Sequence, residues 1–233
     1  MKAEKGYLIL ITAVLFCAGA VWMSRNHVRT GSEAVTSVSE KETERAEELA
    51  PRVAITFDDG PHKTYTPLLL DGLKERDVKA TFFLIGENIS GKEEIVRRMA
   101  EEGHLIGNHT YSHVKLSGMA PEAACEEIRK TSDLIQEITG KPAEYIRPPF
   151  GEWDKSLECG LTLFPVLWTV DTLDWTTENV SDVVCRGTEK VKDGDVILLH
   201  DCYASSVKAA LEIIDTLKSR GFQFVTADEL ILE

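Results

Sequence analysis

The stretch "VAITFDDG", residues 53–60, decides how the rest of the chain is interpreted. Its β-branched and aromatic residues Val53, Ile55 and Phe57 favour a strand, and a strand this apolar is normally buried. The strand ends on two aspartates and a glycine, and Asp-Gly is an ordinary dipeptide of surface turns. Adjacent carboxylates at the end of a buried strand therefore indicate a site only if other reactive groups meet them there.

Strand-like and helix-like segments alternate along the chain from residue 51 onward. The strand-like runs lie at 52–57, 80–85, 104–108, 144–147, 166–170, 195–199 and 222–226. Helical patterns lie between most of them, at 65–76, 91–102, 121–139, 178–191 and 205–220. This alternation predicts right-handed βαβ crossovers and a parallel sheet, either open or closed as a barrel.

Titratable side chains follow five of these predicted strands. They are Asp58 and Asp59 after the first strand, His109 and His113 after the third, Arg147 after the fourth, Asp171 and Asp174 with Trp175 after the fifth, and His200 and Asp201 after the sixth. The carboxyl ends of parallel strands meet at one end of a sheet or barrel, so these groups are expected to lie together. The two aspartates are therefore interpreted as part of a functional site.

The histidines at positions 109 and 113 are candidate metal ligands, although two surface histidines on one helical face would show the same spacing. A spacing of four would place both rings on one side of a helical turn, and Asp59 would complete the ligand set. Two histidines and one carboxylate with open positions suit a catalytic metal. Zinc is our first expectation, with cobalt, iron or another divalent ion as alternatives.

The other groups also have structural interpretations. His200 could be a hydrogen-bonded core histidine, although the sequence "LLHD" directs its ring toward the mouth of a barrel. Arg147 could be a surface charge, although an arginine before two prolines is more often held rigidly. The acidic and aromatic residues after the fifth strand could cap the next helix; they are Asp171, Asp174 and Trp175.

Five segments, taken in order, resemble the polysaccharide deacetylase family, the NodB-homology domain of carbohydrate esterase family 4. They are "TFDDG" at 56–60, "HTYSH" at 109–113, "RPPFG" at 147–151, "DTLDW" at 171–175 and "LLH" at 198–200. The resemblance spans about residues 51–230. It implies an α/β fold, a distorted (β/α) barrel with about seven parallel strands, in agreement with the alternation.

The resemblance also implies roles for the first three motifs. Asp59, His109 and His113 would bind a divalent metal, usually zinc. Asp58 would be the general base, taking a proton from water that the metal activates. Arg147 would pair with Asp58.

The last two motifs would supply the acid and the apolar pocket, and the third motif would also supply a contact to the oxyanion. His200 would protonate the departing sugar amine, and Asp174 would orient His200 and keep it protonated. The main-chain N–H of Phe150 would meet the developing oxyanion; many relatives carry Tyr there, and a backbone donor tolerates the change. Trp175 and Leu198 would shape the apolar pocket for the acetyl methyl.

The implied function is a metal-dependent hydrolase that removes N-acetyl groups from an extracellular glycan, with N-acetylglucosamine of peptidoglycan as the favoured substrate. Chitin-type oligomers and O-acetylated polysaccharides such as xylan are alternatives, and so is a glycan-binding homologue without turnover. A two-His-one-carboxylate iron oxygenase is disfavoured, because it would leave the acid and base unused. A net charge of -13 argues against a nucleic-acid partner.

The first 30 residues differ from the rest. Lys2 and Lys5 precede an apolar run from Gly6 to Met23, which predicts an export segment. It is either a signal peptide cut near 18–20 or, slightly favoured, a membrane anchor. Residues 31–50 are predicted to be a polar linker and residues 51–233 the catalytic domain. The protein is thus expected outside the cytoplasm, anchored to the membrane or secreted.

Four cysteines follow the export segment: Cys125, Cys159, Cys185 and Cys202. An exported domain could oxidise them in any of three pairings, and free thiols are an equal alternative. Cys202 is interpreted as a packing residue.

Overall fold

The computed structural model describes residues 50–153 and 157–231. Those from Pro51 onward belong to one compact unit. The predicted export segment 1–30, and the predicted linker 31–50 except for Ala50, lie outside the described residues. In the two described ranges, no helix combines the length and the apolar character that a membrane crossing requires.

The strands form one sheet in which all pairings are parallel. In chain order they are β1 Arg52–Asp58, β2 Thr81–Leu84, β3 Leu105–Asn108, β4 Tyr145–Ile146, β5 Phe164–Pro165, β6 Val170–Asp171, β7 Asp195–His200 and β8 Gln223–Val225. Seven of them follow the order β5-β4-β3-β2-β1-β7-β6, and β8 pairs with β1. The path begins at β5 and ends at β6, so the barrel is open between them. The predicted distorted (β/α) barrel of about seven parallel strands is confirmed.

Strand β1 is buried on both faces and carries a carboxylate to one end of the barrel. Val53 and Ile55 belong to a cluster that contains the helices, whereas Ala54 belongs to a second cluster. Because side chains alternate along a strand, Thr56 and Asp58 lie on the same face as Ala54. The apolar alternation in the sequence therefore directs Asp58 inward.

The register between β1 and β7 brings a second functional side chain to the same place. Thr56 lies opposite Leu198, and Asp58 lies opposite His200. Since both strands end at this level, the last residue of each reaches the carboxyl end of the barrel. His200 therefore lies beside Asp58 as a direct result of parallel pairing.

Helices connect the strands and pack against the face of the sheet that carries Val53 and Ile55. They are α1 Tyr65–Glu75, α2 Gly86–Ile89, α3 Glu93–Glu101, α4 Pro121–Thr139, α5 Val180–Arg186, α6 Ala204–Ser219 and α7 Ala227–Ile231, with short 3₁₀ turns at Pro149–Gly151 and Asp174–Thr176. Their apolar faces form the main core with the strands; Leu69, Met99, Ile135 and Ile213 are all fully or almost fully buried in it. A disulfide between Cys125 and Cys159 ties α4 to a later segment, and Cys185 and Cys202 are free thiols.

Two predicted elements differ from the structure. The predicted strand 166–170 is mostly irregular: β5 ends at Pro165 and β6 begins at Val170, because the chain changes neighbours between them. The Val166 N–H donates to Ile146 of β4, whereas the Thr169 N–H donates to Val196 of β7. The predicted helix 178–191 ends at Arg186, just before a glycine, a residue of low helix propensity. Helices α2 and α7 were not predicted, because four and five residues are too few to show a helical period.

Candidate active site

Asp59 follows the end of β1 and turns the chain away from the strand. Its φ of 71° lies in the left-handed region, which Asp tolerates better than most residues. Its Oδ1 atom is buried and has no hydrogen-bond partner among the described residues. Burying a carboxylate oxygen without a hydrogen-bond partner costs free energy, so we expect this atom to bind a ligand.

Two imidazole nitrogens face this oxygen. The Nε2 atoms of His109 and His113 each lie 3.5 Å from Asp59 Oδ1. The Nδ1 atom of His109 lies 2.6 Å from the main-chain oxygen of Arg147, which can only accept, so Nδ1 carries the proton and Nε2 keeps a free lone pair. The ligand atoms of the three residues lie within 4.8 Å of one another. This donor set fits a divalent metal.

The protonation of His109 agrees with that use. The ring is buried, and burial lowers the pKa of His109 below its usual value; the nearby charges of Asp58 and Asp59 act in the opposite direction. Neutral imidazole is the form that binds metals. The fold therefore favours the neutral form of His109, which is the form that can bind a metal.

The segment that joins the two histidines is not the predicted helical turn. Thr110 and His113 have φ angles of 63° and 54°, outside the right-handed helical region. The backbone N–H groups of Tyr111 and Ser112 donate instead to the carboxylate of Glu127 on α4, at 3.1 and 2.8 Å. The prediction of a helical turn was wrong, although the two rings do meet, with centroids 5.0 Å apart.

Arg147 lies at the centre of the barrel and has no exposed surface. Its guanidinium donates to Asp58 Oδ1 at 2.8 Å and to Thr56 Oγ1 at 2.7 Å. It also donates to the main-chain oxygens of Val166 and Leu167, at 3.1 and 3.3 Å, where the chain passes between β5 and β6. One side chain therefore connects β1 to the segment that follows β5 and compensates the buried charge of Asp58.

His200 is held by Asp174 on the other side of the site. Its ring Nδ1 lies 2.8 Å from Asp174 Oδ1. Burial lowers the pKa of His200, but the hydrogen bond and the charge of Asp174, together with Asp58 and Asp59, outweigh burial and raise the pKa to about 9. His200 is therefore a cation at neutral pH, with Nε2 as its second donor.

These groups open into one cavity of about 420 Å³. Asp58, Asp59, His109, His113 and His200 line it together, and Phe150, Trp168, Trp175, Leu198 and Tyr203 form its apolar walls. The Phe150 ring packs edge-on against His113 at a centroid distance of 5.1 Å. Arg147 and Asp174 lie behind this surface, each in contact with a residue that faces the cavity.

A second depression of about 800 Å³, which we call the side groove, adjoins this cavity and shares Trp175 and Tyr203 with it. Its other walls include the aromatic ring of Tyr65, the hydroxyls of Thr176, Thr177 and Ser205, and the charged side chains of Glu178 and Lys208. Trp175 is 58% exposed and Tyr203 is 44% exposed. Exposed aromatic rings beside hydroxyl groups suit a ligand with both apolar faces and polar edges.

Trp168 and Tyr203 line the cavity but were not predicted. Tyr203 follows the predicted strand 195–199 by four residues, which was the only signal for it in the sequence, and Trp168 lies in the middle of the predicted strand 166–170, which gave no signal for a site. Asp201 also follows a predicted strand, yet it is not part of the cavity wall: it is fully buried, accepts a hydrogen bond from the Thr66 hydroxyl and has its pKa raised to about 7 by burial. Cys202 lines the side groove, and burial raises its pKa to about 12.

Comparison with known proteins gives one family model, described as polysaccharide deacetylase, which matches residues 45–163. A peptidoglycan-N-acetylglucosamine deacetylase of Bacillus cereus is 41% identical over 75% of this chain and 66% of that protein. The peptidoglycan-N-acetylmuramic acid deacetylase PdaC of Bacillus subtilis is 38% identical over 76% of this chain. This chain spans 38% of the length of PdaC.

Solved structures agree with the sequence comparison. The PdaC structure superimposes with a TM-score of 0.76 and 37% identity, over 78% of this chain and 91% of that one. A family 4 acetyl xylan esterase from Clostridium thermocellum, in complex with a cobalt ion, superimposes with a TM-score of 0.72 and 36% identity, over 77% and 90% of the two chains.

Proposed function

Because the chain belongs to the polysaccharide deacetylase family, we propose that it is a metal-dependent hydrolase that removes N-acetyl groups from an extracellular glycan. The observation that carries this proposal is a single cavity in which Asp58 and His200 flank the ligand set of Asp59, His109 and His113. A base and an acid beside a metal are what hydrolysis of an amide requires.

The metal would be held by Asp59 Oδ1 and by the Nε2 atoms of His109 and His113. When bound, a divalent cation lowers the pKa of water and polarises an acyl oxygen. Zinc is the first expectation for this ligand set, and the cobalt ion in the acetyl xylan esterase makes cobalt a second ion to test. The Arg147 main-chain oxygen fixes the His109 ring through Nδ1.

Asp58 is proposed as the general base. Its carboxylate is held by Arg147 on one side, and its Oδ2 atom lies 3.8 Å from His109 Nε2, next to the ligand set. A carboxylate in this position can take the proton of an attacking water while the C–O bond forms. Arg147 prevents the side chain from turning away, which makes Arg147 a positioning residue.

His200 is proposed as the general acid. The protonated ring can donate the Nε2 proton to the nitrogen of the sugar while the C–N bond breaks, so that the products are acetate and a free amine. Because its pKa is raised to about 9, His200 carries this proton at neutral pH. The positive charge of a bound metal would bring the pKa down from about 9 toward the working pH, which favours proton transfer.

The acyl group would lie against the apolar wall. Trp175 and Leu198 line the cavity with His200, and they are proposed to enclose the acetyl methyl. The main-chain N–H of Phe150 is proposed to donate to the oxyanion; Phe150 has a φ of 63°, and its ring is 63% exposed. An N–H donor directed at the developing charge would contribute to catalysis independently of the side chain.

We favour N-acetylglucosamine of peptidoglycan as the substrate, because the Bacillus cereus relative is a deacetylase of that sugar. The Bacillus subtilis relative acts on N-acetylmuramic acid and the Clostridium thermocellum relative on acetyl xylan, so the muramic sugar and O-acetyl esters are alternatives, with chitin-type oligomers. The side groove supports a polymer rather than a small acetamide, because it adjoins the cavity and would offer a place for sugars next to the reacting one.

A glycan-binding homologue without turnover is the second candidate. Binding alone would not require a buried ion pair behind Asp58 or a carboxylate that raises the pKa of His200. Both features serve proton transfer, and they favour the enzyme.

The proposed place of action is outside the cytoplasm, with residues 1–30 as an anchor or as an export signal that is removed. The Cys125–Cys159 disulfide supports this location, because such bonds persist in oxidising compartments. If the segment remains, the membrane is a partner of the protein.

The test is acetate release by the purified protein from peptidoglycan, chitin oligomers and acetylated xylan, with added zinc and with a chelator. Release from peptidoglycan that a chelator abolishes and zinc restores is the expected result. Release from xylan or chitin alone would move the proposal to that substrate. No release from any of them, by folded protein with metal bound, would favour the binding homologue.

A further inference from the structure

The loop between the two histidine ligands has an unusual support. Residues 110–112 belong to neither a helix nor a strand. Thr110, the first of them, and His113, which follows them, both have φ angles in the left-handed region. A loop in such a conformation keeps its shape only if other groups satisfy its backbone.

Backbone groups of a neighbouring element satisfy its carbonyls. The N–H groups of Gly86 and Glu87, in the first turn of α2, donate to the main-chain oxygens of Thr110 and Tyr111 at 3.0 and 2.9 Å. The Thr110 N–H donates to the side chain of Asn108 at 2.7 Å. The N–H groups of Tyr111 and Ser112 remain to be satisfied.

One carboxylate satisfies both of them. Glu127 Oε2 accepts from the N–H groups of Tyr111 and Ser112 at 3.1 and 2.8 Å. The Ser112 hydroxyl lies 3.0 Å from Oε1 and 2.9 Å from Oε2 of the same carboxylate. The carboxylate of Glu127 therefore holds the residue that immediately precedes the ligand His113.

Helix α4, which carries Glu127, is fixed on both sides of it. Two residues earlier, Cys125 forms the disulfide with Cys159. On the other side, the main-chain oxygen of Ile128 and the hydroxyl of Ser132 accept hydrogen bonds from Asn108, at 2.7 and 2.9 Å. The carboxylate is thus presented by a rigid helix that also holds the end of β3, where His109 follows.

We propose that Glu127 is a positioning residue of the metal site, which sets the affinity for the metal by fixing the backbone that presents His113 to Asp59 and His109. This inference rests on the proposed function for the identity of the ligand set. Residues that orient metal ligands typically change metal affinity by about 10- to 100-fold when they are replaced.

The proposal depends on the charge of the Glu127 carboxylate, whose Oε2 atom accepts both backbone bonds. Gln at this position could place its amide oxygen at the same point, with its amide nitrogen toward the Ser112 hydroxyl, but hydrogen bonds to a neutral acceptor are only about half as strong. Glu127→Gln is therefore nearly isosteric and weakens the support of the loop.

The adjacent residue provides a matched control. Glu126 is exposed on the same helix and pairs with Lys130 at 2.9 Å, and it takes part in none of the hydrogen bonds described above for the loop backbone. Lys130 lies 5.4 Å from the centroid of the Tyr111 ring, so its contact with the loop is to a side chain and not to the backbone. Glu126→Gln makes the same chemical change one residue away. An effect of charge or of helix stability would appear in both variants, whereas an effect on the loop would appear only in Glu127→Gln.

The experiment measures zinc affinity by competition with a chromophoric chelator, and the visible absorption spectrum of the cobalt-loaded protein, for wild type and both variants. We expect Glu127→Gln to bind zinc about 10- to 100-fold more weakly with an altered cobalt spectrum, and Glu126→Gln to match wild type. Wild-type affinity in Glu127→Gln, or an equal loss in Glu126→Gln, would overturn the proposal.

Two further observations keep the test decisive. If Glu127→Gln does not fold, as judged by circular dichroism, Glu127→Asp replaces it, because that variant keeps the charge but withdraws the carboxylate from the two N–H groups by one methylene. A loss of affinity is expected there too, and unchanged affinity would overturn the proposal. The test measures metal binding and not turnover, so its outcome does not depend on the proposed activity. If the protein deacetylates no glycan but Glu127→Gln still weakens metal binding, the inference stands and only the proposed function is contradicted.

Discussion

Asp174 holds His200 at two points. One carboxylate oxygen lies 2.8 Å from the ring Nδ1, and the other accepts the backbone N–H of His200 at 2.8 Å. The bond to the backbone N–H fixes the Asp174 carboxylate beside His200, so the His200 ring cannot rotate without losing its hydrogen bond to Asp174 Oδ1. Asp174 itself follows Leu173, whose φ of 53° turns the chain into a short 3₁₀ element. The charge that raises the pKa of His200 and the bond that orients its ring come from the same carboxylate.

This arrangement predicts a shift of the alkaline limb of the pH profile in Asp174→Asn. A general acid works only while it is protonated, so activity falls as the pH rises through the pKa of His200. That pKa is raised to about 9, and without the Asp174 charge burial would lower it. We expect the alkaline limb of kcat/KM to move to lower pH, with the acid limb little changed.

The measurement is kcat/KM against pH for wild type and for Asp174→Asn, with Asp182→Asn as a control. Asp182 is an exposed aspartate on α5 and lies outside the cavity. An unchanged alkaline limb in Asp174→Asn would contradict the role of His200 as the acid.

The roles of base and ligand can be separated by Asp58→Asn. The amide oxygen can still accept from Arg147, so the ligand set should persist, although the buried Arg147 loses its counter-charge and the fold loses some stability. An amide cannot take a proton. We expect zinc binding near the wild-type level and a loss of about 10²- to 10⁴-fold in kcat. Elemental analysis and acetate release on the same sample would check both. A variant with full activity would exclude Asp58 as the base.

His113→Ala should lose both properties. Its ring is partly exposed, so its removal leaves no buried cavity, and unfolding is not the expected cause. The two ligands that remain, Asp59 and His109, would bind zinc too weakly for the metal to survive purification. Wild-type zinc content after dialysis would show that the metal is held elsewhere.

The sequence predicted the convergence at the site better than it predicted the path of the backbone. Asp58 and His200 end strands that pair in parallel, so period-2 alternation and one sheet are enough to bring them together. The turn that carries His113 depends on Glu127, fifteen residues after Ser112. No local pattern contains that information, and a spacing of four was therefore interpreted as a helix.

The segment around residues 166–170 shows the same limit. Its apolar character predicted one strand, but β5 ends before it at Pro165 and only Val170 belongs to a strand, β6; β5 pairs with β4, whereas β6 pairs with β7. In the segment that connects β5 to β6, the main-chain oxygens of Val166 and Leu167 accept hydrogen bonds from Arg147. A buried arginine that bonds to backbone oxygens replaces sheet hydrogen bonds at this point, and the motif "RPPFG" alone does not reveal it.

The side groove predicts a dependence on chain length. If sugars next to the reacting one lie against Trp175 and Tyr203, kcat/KM should rise from disaccharide to tetrasaccharide substrates. Tyr203→Ala should reduce this rise by about tenfold, equivalent to ~1.4 kcal/mol, whereas Tyr203→Phe keeps the ring and should retain most of it. Steady-state rates on oligomers of defined length would measure the effect. Equal rates at all lengths in wild type would mean that the groove does not bind the chain.

The thiols provide a test of the fold that does not depend on function. Cys185 is exposed, whereas Cys202 is only partly exposed and burial raises its pKa to about 12. Alkylation requires the thiolate, so at pH 8 iodoacetamide should modify Cys185 rapidly and Cys202 hardly at all. Cys125 and Cys159 should react only after reduction, because they form the disulfide. Peptide mapping by mass spectrometry distinguishes the four sites.

Rapid modification of Cys202 in the folded protein would show that the segment after His200 opens to solvent. The positions of His200 and Tyr203 would then be less fixed than their contacts imply.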